Sequence, residues 1–72
     1  MSDLDDRLLS AHAQGNIALL AELYARAADH AATAQAAGFY LTQAHVFALE
    51  AGLTEAAVLR ARLIEMGRET AL

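Results

Sequence analysis

The sequence predicts an all-α domain of four helices arranged as two antiparallel helical hairpins, and three observations carry that prediction. Alanine supplies 19 of the 72 residues and leucine 12, proline is absent, and β-branched residues are few. Alanine and leucine lose least on entering a helix. Two stop-and-restart signals, Gly15-Asn16 and Gly52-Leu53-Thr54, lie 37 residues apart. In each, a glycine can adopt the left-handed conformation that closes one helix, and a polar residue follows to cap the next. Between these signals apolar residues recur at helical spacing, and the whole chain, 1–72, reads as one domain.

The first helix has Ser2 as its N-cap and Asp3, Asp5 and Asp6 in its first turn, where the helix dipole favours negative charge. It runs to about Gln14 with Leu4, Leu8 and Ala11 as its stripe, and Gly15 ends it. Asn16 caps a second helix with the stripe Ile17, Leu20, Tyr24, Ala27 and Ala31, widened by Leu19 and Leu23. So short a connection forces antiparallel neighbours, and hairpin one spans about 3–31.

Residues 29–38 contain no strong breaker, yet a helix from Asn16 to Glu50 would be too long to fold back on itself. A turn is therefore expected between about His30 and Thr33, with Asp29 or Thr33 capping the third helix. Gly38 then lies inside that helix, at a cost of about 1 kcal/mol relative to alanine, which a close helix approach explains. The third helix, to about Ala51, is apolar nearly all round: Phe39, Tyr40, Leu41, Ala44, Val46, Phe47, Ala48, Leu49. That pattern predicts a central element packed on several sides, with the aromatics in the core. Thr54 is the expected N-cap of the fourth helix, with Leu53 and Val58 stapled across it. Its stripe is Ala57, Ala61 and Ile64, widened by Ala56, Leu59, Leu63 and Met66, while Arg60, Arg62, Glu65, Arg68 and Glu69 face solvent. Gly67 ends it before a frayed tail, so hairpin two spans about 33–67.

Composition excludes several functions. Nine acidic residues against five arginines and no lysine leave a net charge of −4, which disfavours nucleic acid and anionic membranes. The acidic start does not resemble a secretion signal and no apolar run is long enough to span a bilayer, so a cytoplasmic location is expected. With no cysteine, thiolate metal sites and disulfides are ruled out. His12, His30 and His45 sit in different segments and none pair at i, i+4, so no metal or cofactor is expected. No Ser-His-Asp constellation or phosphate loop is present, and the acidic clusters are explained as helix ends, so no enzyme is expected. A helix-turn-helix reading through Arg60, Arg62 and Arg68 is opposed by Glu65 and Glu69 among them.

Two helical hairpins with this punctuation resemble the tetratricopeptide (TPR) class of repeats. In the first unit the matching residues are Leu4, Leu8, Ala11, Gly15-Asn16, Tyr24 and Ala27. In the second they are Leu41, Ala44, Gly52 and Ala57. The 37-residue spacing exceeds the family's 34, the usual proline is missing, and His45 stands where a small residue is usual. The resemblance implies a protein or peptide partner held on the face formed by the first helix of each hairpin. On this chain that face uses Asp5, Leu9 and His12, then Thr42, Val46, Leu49 and Glu50. Asp5, Leu9 and His12 also form one stripe by spacing alone, beside the core stripe.

If Leu9, Val46 and Leu49 are exposed together, they form an apolar patch rimmed by acid; if buried, they are core. Two repeats expose an apolar flank, which predicts a homo-oligomer or a subunit of a larger assembly. The alternative to an adaptor is a homodimeric structural bundle with a small-ligand or histidine metal site, and a compact bundle is likewise the alternative to stacked repeats.

Overall fold

The computed structural model describes residues 3–67 and is all-α: α1 (Asp3–Gln14), α2 (Ile17–Asp29), α3 (Ala34–Glu50) and α4 (Glu55–Glu65). The expected Ser2 cap and the tail from Arg68 onward, Glu69 included, lie outside the described residues.

Both glycine signals act as expected. Gly15 and Gly52 have φ of 64° and 68°. Around Gly15, the Asn16 N–H donates to the Ala11 carbonyl at 3.1 Å and the Gly15 N–H to the His12 carbonyl at 3.1 Å. Around Gly52, Leu53 donates to Ala48 at 2.9 Å and Gly52 to Leu49 at 3.1 Å. These paired bonds satisfy the last carbonyls of α1 and α3 and reverse the chain in two places. Nothing lies within 4 Å of a Cβ added at Gly15. Gly15→Ala is therefore expected to cost about 1–2 kcal/mol from left-handed backbone strain alone, measurable by urea denaturation.

The turn after α2 falls at residues 30–33, and Thr33 rather than Asp29 caps α3. Its extended backbone (φ −131°, ψ 155°) lets Oγ1 accept from the Ala36 N–H at 3.1 Å. Asp29 instead accepts from Arg62 of α4 at 2.7 Å, so an arginine assigned to the solvent side reaches across to α2. The expected Thr54 cap does not form. Thr54 is already helical (φ −64°, ψ −26°), so its hydroxyl is turned from the helix N–H groups and donates to Glu55 Oε1 at 3.4 Å. Two nearby donors, Ala56 and Ala57, are taken by the Leu53 and Thr54 carbonyls. Thr33→Ala should therefore cost about 1 kcal/mol while Thr54→Ala stays within about 0.5 kcal/mol, a contrast that paired denaturation curves resolve.

Each helix packs chiefly on its sequence neighbour, most extensively α2 on α3, then α3 on α4 and α1 on α2. The result is a slab of 34 × 29 × 12 Å. α4 meets α2 as well as α3, since Arg62 reaches Asp29 and one core cluster is shared by α2, α3 and α4, while α1 packs on α2. The core is built largely of alanine: Ala21, Ala28, Leu41, Ala44, Ala48, Ala56, Leu59 and Leu63 pack together, and Ala11, Leu20 and Leu23 form a second cluster. Tyr24 and Phe47 pack against both clusters and join them.

Two expectations about buried faces need correction. In α4 the buried stripe is Ala56, Leu59 and Leu63, whereas Ala57 and Ala61 are exposed and Ile64 half-buried. The face is rotated by about one residue, 100°, toward the two leucines. Val58 is 62% exposed and Leu53 half-buried, so the pair closes no staple over the cap. Second, α3 is not packed on all sides. Gly38, Leu41, Ala44 and Ala48 face the core, but Phe39, Val46 and Leu49 lie 56%, 43% and 60% exposed. No other element among the described residues covers them.

Candidate partner-binding face

The exposed side of α3 carries Gln35, Phe39, Thr42, Val46 and Leu49, each exposed. Their spacing of 4, 3, 4 and 3 is that of a heptad seam, so they form one stripe along the helix. Thr42 is the one hydroxyl in it, and that hydroxyl donates to the Gly38 carbonyl at 2.9 Å. Its polar requirement is met within the helix, which leaves the threonine methyl as what the stripe presents outward. The stripe holds no charge until Glu50 at its C-terminal end.

α1 reaches α3 through ring contacts. His12 Nε2 hydrogen-bonds Tyr24 Oη at 3.0 Å, and its ring stands edge-on to Tyr24 and to Phe47 at 5.9 and 6.0 Å. Tyr24 in turn stacks on Phe47 at 5.8 Å and approaches Tyr40 at 6.2 Å, while Tyr40 meets Phe39 edge-on at 5.6 Å. One continuous row of rings thus runs from α1 to the exposed stripe of α3. Edge-to-face and offset ring contacts of this kind add about 0.5–1.5 kcal/mol beyond area burial. They fix α1 against α3 at the level of His12.

All seven residues assigned to the partner face, Asp5, Leu9, His12, Thr42, Val46, Leu49 and Glu50, are exposed, Leu9 at 64%. The reading that Leu9, Val46 and Leu49 are core is thereby removed. His12 is joined to α3 through Phe47, and Leu9 lies on the same helix as His12, one turn earlier. Sequence reasoning missed Phe39, which it placed in the core with the other aromatics; its heptad spacing to Val46 was the available signal.

A second concavity, about 760 Å³, lies between α2 and α4. Ala18, Leu19, Ala25, Leu53 and Val58 give it an apolar lining, and Arg26 and Glu22 pair along its α2 wall at 3.2 Å. A shallower groove of about 570 Å³ between α3 and α4 is lined by His45, Leu49, Ala57, Ala61 and Ile64. The misassigned α4 stripe is therefore the lining of a groove. Asn16, Asp29 and Glu55 also line the larger one. Among the described residues no three His, Asp or Glu side chains are grouped to hold a metal ion, and His12, His30 and His45 occupy separate surroundings. No helix among them is long and apolar enough to cross a membrane.

Comparison of the chain with protein-family models, with curated proteins and with solved structures gives no match.

Proposed function

We propose that this chain is a non-enzymatic interaction module, two TPR-like hairpins whose α1/α3 face receives a helix or peptide of a protein partner. The observation that carries this reading is the exposed seam of Phe39, Val46 and Leu49 on α3, with Leu9 exposed on α1. Several large apolar side chains left in water on one face of so small a domain mark an interaction site. The binding residues are Asp5, Leu9, His12, Thr42, Val46, Leu49 and Glu50, with Phe39 added. Apolar anchors at the centre and carboxylates at the ends match the general layout of an apolar core with a polar rim.

Leu9→Asp and Val46→Asp test it. Each side chain is exposed, so each variant should keep its helical circular dichroism and melt within about 5 °C of the wild type. Each should also lose the partner that the wild-type chain retains in parallel affinity capture from the native host. A larger drop in melting temperature, or capture that is unchanged, would refute the assignment.

A further inference from the structure

We propose that the helix this face receives is α3 of a second copy of the chain, crossing antiparallel about a two-fold axis at the level of residue 44. The inference rests on the reading above and names the partner of that same face. It follows from three features of the seam.

The first is self-complementarity. In an antiparallel pair whose facing positions sum to 88, Phe39 lies opposite Leu49 of the other copy and Thr42 opposite its Val46. The two-fold then repeats both pairs, as an isologous interface requires. Large residues meet at the two ends and the smaller Thr and Val meet in the middle. Each exposed apolar residue of the seam thus finds an apolar or methyl-bearing partner.

The second is charge. In that arrangement the two Glu50 side chains stand twelve residues apart along the axis, about 18 Å at 1.5 Å per residue, beyond the screening length of about 8 Å in physiological salt. A parallel pair would set Glu50 beside Glu50, and Phe39 beside Phe39. The chain's net charge of −4 repels a second copy in general, but the seam between its ends is neutral.

The third is desolvation. Thr42 already makes its hydrogen bond to Gly38, so covering the seam strands no hydroxyl there.

The test is the mass of the full chain in solution by light scattering across a micromolar to millimolar series, with designed cysteines to read orientation. Twice the 7.6 kDa chain mass is expected. Phe39→Asp and Val46→Asp should each halve it while keeping helical circular dichroism; Val58→Asp, in the groove between α2 and α4, should not. Because the native chain has no cysteine, the Thr42→Cys/Val46→Cys double variant should oxidise to a covalent dimer. Val46→Cys alone should not, since the two copies of residue 46 are offset along the axis. A wild type that stays monomeric throughout overturns the self-pairing and leaves the partner-face reading standing. A dimer that survives both aspartates, or that Val46→Cys alone crosslinks, overturns it as well. Loss of helical circular dichroism in Val46→Asp at a concentration where the wild type is itself monomeric would instead refute the partner-face reading itself.

Discussion

Leu41→Ala is expected to remove about 3–5 kcal/mol of stability, the upper part of the usual leucine-to-alanine range. Leu23 and Leu41 are the largest fully buried side chains, at 0% and 1% exposure. Leu41 sits in the cluster that joins α2, α3 and α4, whose other members are five alanines and only two leucines, Leu59 and Leu63. Alanine has no side-chain torsion with which to lean into a vacated space, so the cavity closes only if helices move. A domain of this length holds about 4–11 kcal/mol in total. The substitution thus removes a large share of the stability, and a substantial unfolded fraction at 37 °C is expected. Urea denaturation followed at 222 nm measures it directly. A loss under about 1 kcal/mol would mean that the helices slide to fill the gap, and that Leu41 is not the pin between its neighbours.

That dependence on so few large residues explains which parts of the fold were legible in the sequence. The helix boundaries at Gly15, Asn16, Gly52 and Gly67 were legible because they rest on backbone conformation, which glycine and a capping asparagine signal locally. The cap at Thr33 was narrowed to two residues, and only the extended backbone of Thr33 decided it. Thr54 misled because the same residue type in a helical conformation cannot cap.

Helix faces were harder to read, for a physical reason. Alanines at 56, 57 and 61 carry almost no phase information, since alanine is tolerated equally at a core contact and in water. In α4 the large residues Leu59 and Leu63 set the buried face, and a stripe drawn through alanines came out rotated by 100°. The third helix shows the converse. Its near-uniform hydropathy reads as burial on all sides, yet no other element among the described residues covers its outer side, so that apolarity is left on the surface. The exposure of Leu9, Val46 and Leu49 was left open by the sequence, because spacing alone does not say which apolar positions a short chain can cover. The ring contacts linking His12, Tyr24, Phe47, Tyr40 and Phe39 depend on how the hairpins stack, which no local pattern encodes.

Ala44→Leu is expected to destabilise the chain by about 1–3 kcal/mol or more, although it replaces one excellent helix former with another. Ala44 is fully buried and belongs to the alanine-rich cluster between α2 and α3, the most extensive contact in the molecule. Alanine at 21, 28, 44 and 48 lets two helix axes approach toward the lower end of the 8–10 Å range. A leucine at that contact must either force α2 away, stripping Leu41 of its neighbours, or take a strained rotamer. Because propensity is nearly unchanged, the loss reports packing alone. Ala57→Leu is the matched control: Ala57 is exposed on α4, so the same chemical change there should stay within about 0.5 kcal/mol. Equal effects at the two positions would show that α2 and α3 are not in close contact. A loss confined to Ala44 would establish that small side chains, rather than large ones, hold the central pair together.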